Sequence, residues 1–152
     1  MFLRDRLQFA LKDAMKAKEV ARLSTLRLIN AAIKDREIAA RGEATPVAVN
    51  ETDIMAILGK MVKQRQESAR AYEEGGRLEL AQKELSEIKV IEEFLPRQLS
   101  AAEVEAAIAE AITEAGATGI RDMGKVIAVL KAKHTGQMDF GAVGPMVKAR
   151  LG

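Results

Sequence analysis

Residues 60–96 read KMVKQRQESARAYEEGGRLELAQKELSEIKVIEEFLP. Apolar side chains return every three or four positions: Met61, Val62, Ala69 and Tyr72 before the glycine pair, Leu80, Ala81, Ile88 and Ile91 after it. That is the period of an amphipathic helix, not of a strand. Gly75-Gly76 is the sharpest break in the chain, and Pro96 stops what precedes it, so the stretch predicts two helices joined by a tight turn. Upstream, the first of them takes in Ile54, Ile57 and Leu58 and starts near Asn50, a good capping residue. Arg65 falls inside the apolar arc of the first helix and Glu84 inside that of the second. Unpaired, either charge is costly to bury, so the spacing predicts a structural ion pair, Arg65 with Glu84, that fixes helix register.

The same period runs outward in both directions. Leu3, Leu7, Ala10, Leu11 and Ala14 predict a helix over about 2–17; Leu26, Ile29 and Ile33 predict another over about 19–41. Gly42 through Val49, with Thr45-Pro46, is a connector. Ser100-Ala-Ala-Glu103 matches a capping box opening a fifth helix that ends at Gly116. Met123, Val126, Ile127 and Leu130 predict a sixth helix ending at Gly136. Asp139 can cap a seventh, which Pro145 either starts or kinks. The expected fold is all-α: an N-terminal four-helix part over 1–96 and a small C-terminal three-helix module over 97–152. Composition agrees, since Ala, Glu, Leu, Lys and Arg make up 80 of the 152 residues while aromatics are 3%, the usage of long helices rather than of a sandwich or barrel.

Composition also narrows function. With no Cys and one His, disulfides, thiolate zinc sites and thiol nucleophiles are excluded and a histidine metal site has almost nothing to work with. No cofactor is expected. The longest apolar run at a helix core, Val126–Leu130, is far short of the ~20 residues of a membrane helix. The N-terminus MFLRDRLQ lacks the apolar region of a secretory signal, and Asp5 and Asp13 argue against a transit peptide; the expected location is the cytoplasm. Phosphate-loop patterns GxxxxGK[ST] and GxGxxG are missing. Two GXXG tetrads, at 116–119 and 141–144, lack the sheet of a KH domain. None of Ser24, Ser68, Ser86 and Ser100 sits on a strand-to-helix elbow, and the lone His134 has no evident orienting carboxylate, which disfavours serine hydrolysis.

Net charge is only +2, but the charges are segregated. Residues 1–41 carry +5, 71–96 carry −4, 97–120 carry −3 and 121–152 carry +4. Such a layout is either a normally solvated helical surface or a footprint for nucleic acid. Three groups of cations are candidates. Arg27, Lys34 and Arg41 recur at intervals of seven and so lie nearly on one line, able to track a phosphate backbone. Lys60, Lys63 and Arg70 share a stripe, although Glu67 on that stripe can pair with Lys63. Lys125, Lys131 and Lys133 gather around the sixth helix, where the start of the next helix offers backbone N–H groups to a phosphate; lysines also suit a helix C-terminus for dipole reasons alone. With so few aromatics there is no platform for stacked bases, so recognition would be by shape and backbone.

The stretch from Lys60 to Ser100, the segment Met123-Gly-Lys through Gly136 and Asp139, and the pieces Ala14-Met-Lys and Leu26-Arg-Leu together resemble the GatB/YqeY family, in its short free-standing form. The resemblance implies an N-terminal helical part followed by a three-helix module like the tail of the tRNA-dependent amidotransferase B subunit, which helps hold misacylated tRNA while other parts do the chemistry. It implies Lys125, Lys131, Lys133 and Gly136 as the matching RNA-facing positions. The family-level label, a carbon–nitrogen ligase with glutamine as amide donor, belongs to nucleotide, metal and amidase sites outside this domain. The expected function is a non-catalytic accessory module that binds tRNA or other structured RNA, with no membrane and no DNA. The alternative is a protein–protein adaptor for an amidotransferase or aminoacyl-tRNA synthetase complex, using the acidic 71–114 surface or an exposed apolar groove between the two parts.

Overall fold

The computed structural model describes residues 2–44 and 48–152; the Thr45-Pro46 part of the expected connector lies outside them. Among the described residues there are seven α-helices, one short 3-10 turn and no strand. The chain divides into two compact units, Met1–Leu95 and Pro96–Gly152.

In the first unit, α1 (Leu3–Ala17) and α2 (Val20–Arg41) form one antiparallel pair, and α3 (Glu51–Glu74) and α4 (Leu78–Glu92) form another. Asn50 opens α3 with a reciprocal capping box: its side chain accepts from the Asp53 N–H at 2.9 Å, and the Asp53 carboxylate accepts from the Asn50 N–H at 3.0 Å. The other end of α3 closes through the glycine pair. Gly76 takes φ +74°, and the Arg77 N–H reaches back to the Tyr72 carbonyl at 2.7 Å. Only a residue without Cβ enters this left-handed turn at no steric cost. The core of the unit joins Leu3 and Leu7 of α1, Leu26, Ile29 and Ile33 of α2, Ile54, Leu58 and Met61 of α3, and Ile88, Ile91 and Phe94 from α4 and its exit. Helix α4 stops at Glu92, a turn short of Pro96. Residues 93–95 wind into tighter turns, the Phe94 and Leu95 N–H groups bonding three residues back at 3.1 Å, as the approach to Pro96 demands.

The partner of Arg65 differs from the sequence expectation. Its Nε donates to Glu87 Oε2 at 2.8 Å and its Nη1 to the Met61 carbonyl at 3.2 Å. Glu84 holds no ion pair among the described residues. The reason is hairpin geometry. Both arms rise equally per residue, so level positions are equidistant from the turn, and Arg65 and Glu87 each lie eleven residues from Gly76. Both side chains are about 15% exposed, dry enough for the pair to count. Replacing Glu87 with Gln is expected to lower stability by about 1–3 kcal/mol, and Glu84→Gln by less than about 0.5. Urea unfolding of the two variants checks this; equal losses would return the pairing to Glu84.

In the second unit, α5 (Ala101–Ala115), α6 (Met123–His134) and α7 (Phe140–Leu151) pack Ala107, Ile108 and Ala111 against Val126, Leu130, Val143 and Val147. Ser100 and Glu103 form the expected capping box. Pro145 neither starts α7 nor ends it; it sits inside a helix that begins at Phe140. The carbonyl its missing N–H leaves without a helical partner is that of Gly141, an exposed residue open to water. Glu103 also accepts hydrogen bonds from Nη1 and Nη2 of Arg97, at 2.9 and 2.8 Å. The Arg97 hydrogen bonds, and then the Ser100 N–H, bring its carboxyl down from 4.5 to about 2. A depressed carboxylate stabilises the fold at pH above its unfolded value, and that contribution is lost as pH falls through about 2. Carbon-detected NMR is expected to show the Glu103 carboxyl titrating at about 2, and Arg97→Ala is expected to move it back up.

Candidate nucleic-acid interface

The ribbon of charge seen in the sequence is rearranged by folding. Residues 97–120 carry −3 and 121–152 carry +4, so the second unit nets +1 once α5 packs beside α6. The cations expected to face RNA are met there by acids. Lys133 forms an ion pair with Glu114, which raises its ammonium above its usual range. Lys125 lies 3.6 Å from Asp122 across an exposed helix start, and Lys131 stands 5.9 Å over the Phe140 ring. Arg150 pairs with Glu105 at 2.9 Å. The start of α7 is no open anion site either. Asp139 puts its own carboxylate on the Gly141 N–H at 3.0 Å, occupying the position a phosphate would need.

Gly136, at φ +76°, belongs to a loop that is built rather than loose. Its carbonyl accepts from Gln98 Nε2 at 2.6 Å. Gln137 returns the contact, its side chain donating to the Arg97 carbonyl at 3.1 Å and its own carbonyl accepting from Leu99 N–H at 2.9 Å. His134, half-buried, meets Gln137 Oε1 through Nδ1 at 2.9 Å. The loop residues hold the segment after Pro96 in place, which gives Gly136 and His134 a structural task.

The first unit is different. Its arginines nearest α4 are engaged: Arg22 pairs with Glu93, and Arg6 donates to the Glu93 carbonyl at 2.9 Å while lying 5.5 Å over the Phe94 ring. Arg36 pairs with Glu43 at 3.1 Å. Arg27, Lys34 and Arg41, by contrast, are exposed on α2 and hold no ion pair among the described residues. Seven residues of helix rise about 10.5 Å, so the three charges make a row with near-even steps. Lys12 and Lys16 add two exposed cations on α1. Lys60, Lys63 and Arg70 are exposed on α3, beside Gln64 and Glu67.

Beside the α2 row, a groove of about 400 Å³ runs between α1 and α2. Leu7 and Ile33 form its floor, and Arg4, Asp5, Gln8, Asn30, Lys34 and Glu37 its walls. Arg4 crosses one end, donating to Glu37 at 2.8 Å and to the Val49 carbonyl at 3.2 Å. That hydrogen bond holds the Glu37 carboxyl below the usual carboxylate range against the opposing effect of burial, with the charges of Arg4, Arg41 and Lys34 adding to it. Three cations therefore surround one carboxylate. Sequence reading found Lys34 and Arg41 but missed Gln8 and Asn30. The available signal was their spacing: Asn30 is one turn before Lys34, and Gln8 and Asn30 are nearly equidistant from the Lys18–Glu19 joint.

Among the described residues, no group of His, Cys, Asp and Glu is arranged to hold a metal ion, and no helix is long and apolar enough to cross a membrane.

Among known proteins, one from Lachancea thermotolerans named altered inheritance of mitochondria protein 41, mitochondrial, is 32% identical over 106 residues, covering 68% of this chain and 54% of that one. Its namesake from Clavispora lusitaniae is 36% identical over 89 residues, 59% of this chain and 49% of the relative. An uncharacterized Schizosaccharomyces pombe protein is 29% identical over 90 residues, 59% of this chain and 69% of that one. The chain spans about half the length of the first two relatives it matches. A family model described as Yqey-like protein matches residues 4–151, both units together. With nearly every residue inside that match, the chain belongs to the YqeY-like family.

Proposed function

We propose that this chain is a non-catalytic accessory module that binds structured RNA through its phosphate backbone, with helices 1–4 and 5–7 as separate folding domains. The observation that supports it is the row Arg27, Lys34 and Arg41, exposed and free of ion pairs along one line of α2. Exposed cations at regular intervals attract a polyanion and release its counterions, although the Glu37 carboxylate bears on Lys34 and Arg41. The choice of tRNA within that class comes from the resemblance to the amidotransferase tail. Filter binding of bulk tRNA over a salt series tests the reading: affinity is expected to fall steeply and linearly on a log–log plot, and no binding at low salt rejects it.

The adaptor reading draws on α4, where Leu78 and Leu85 are 64% and 42% exposed one heptad apart on an acidic helix. Recovery of a specific protein after nuclease treatment, with no retention of tRNA, would favour it.

A further inference from the structure

We propose that the groove between α1 and α2 is a nucleotide subsite, taking one unstacked base of an RNA strand or a free nucleoside monophosphate, with the phosphate on Lys34. The inference deepens the RNA reading and rests on it for the strand; for the base it rests on the groove itself. The floor is apolar but nearly covered, Leu7 and Ile33 being 2% and 5% exposed, so a base would be held chiefly between the walls. The walls are polar and opposed. Gln8 comes from α1 and Asn30 from α2, and neither carboxamide has a hydrogen-bond partner among the described residues. Each carboxamide carries a donor and an acceptor side by side in one plane, the same arrangement that base edges present. Asn30 is half-buried with this capacity unspent.

Lys34 stands one turn beyond Asn30 on the same face, so a base between the amides leaves its phosphate beside the exposed cationic row, with the Glu37 carboxylate on the same wall. The exposed Arg4–Glu37 pair stands at one end, and Asp5 places a second carboxylate on the wall. The volume, about 400 Å³, falls within the range of small-molecule sites. A protein segment is a poorer fit, because these walls are mostly polar and one of them is already crossed by an ion pair. The pattern also predicts low base selectivity, since either amide turns over to match a donor or an acceptor.

The test uses the full-length chain labelled with nitrogen-15, following the side-chain amides of Asn30 and Gln8 by NMR. The probes are AMP, GMP, CMP, UMP, inorganic phosphate and a short single-stranded RNA. At least one nucleotide is expected to move both amides to saturation, with affinity about tenfold or more above that of inorganic phosphate. Asn30→Leu and Gln8→Ala, both at positions the core does not use, are each expected to weaken that binding several-fold, and Lys34→Ala to weaken nucleotide and phosphate alike. No shift with any nucleotide, or equal shifts with phosphate, overturns the subsite. RNA that binds without moving either amide also overturns it, while sparing the cationic row. Nucleotide shifts without RNA binding support the groove and reject the RNA reading.

Discussion

Reversing Arg27, Lys34 and Arg41 together to Glu is expected to lower tRNA affinity by roughly a hundredfold or more near physiological salt, and to flatten the salt dependence by two to three units of log–log slope. The direction follows from their surroundings. All three are exposed and hold no ion pair, and their charge, partly met by Glu37 at Lys34 and Arg41, stays within reach of a ligand. Each phosphate contact removed takes about 0.7–0.9 off the slope, and each new carboxylate adds repulsion on top. None of the three lies in the core, so the cost to the fold is limited to repulsion of Glu37 by the new carboxylates at 34 and 41, about 0.2–0.5 kcal/mol each. The matching reversal of Lys125, Lys131 and Lys133 is expected to cost only a few-fold. Lys133 is already held by Glu114 and Lys125 sits near Asp122, so much of their charge is spent inside the unit. Electrophoretic-mobility or filter titrations of the two triple variants, with circular dichroism to confirm helicity, decide between the surfaces. If the C-terminal triple variant loses binding while the α2 triple variant keeps it, the interface belongs to the C-terminal three-helix module, as the resemblance implies.

That contrast marks where sequence legibility ended. Helix period, the glycine turn, the capping boxes at Asn50 and Ser100 and most core positions are local properties, set within a turn or two of chain. They could be read because nothing distant competes with them. Charge neutralisation is not local. Lys133 and Glu114 are nineteen residues apart, and Arg150 and Glu105 forty-five. In the sequence the C-terminal thirty residues look cationic; in the fold α5 supplies their counter-charges. The Arg65 partner sits between these cases. It was missed by one turn because Glu84 lies closer to the centre of the apolar arc, yet counting outward from Gly76 gives Glu87 directly. The groove depends on which faces of α1 and α2 meet, and the Lys18–Glu19 joint between them holds no glycine or proline to mark its geometry.

Replacing Ile108 with Ala is expected to unfold residues 96–152 in most molecules at 37 °C while the helices before Pro96 stay folded. The two cores share no residue. The second unit has 57 residues, too few for one core to supply more than about 3–5 kcal/mol. Ile108 is fully buried and is the largest core side chain on α5, its core neighbours on that helix being Ala107 and Ala111. Alanines have nothing to extend into the space left behind, so the loss belongs in the upper part of the usual range of about 2–5 kcal/mol. The facing residues are mostly valines, whose stiff side chains cannot swing to fill it either. Ile108→Val removes one methylene and is expected to cost only about 0.5–1.5 kcal/mol, leaving the unit folded. Nitrogen–proton NMR reads the outcome residue by residue. Dispersed signals from α1–α4 beside collapsed signals from α5–α7 in the Ala variant, with both sets dispersed in the Val variant, are expected. Joint collapse of all seven helices in the Ala variant would mean that the two units fold as one cooperative body.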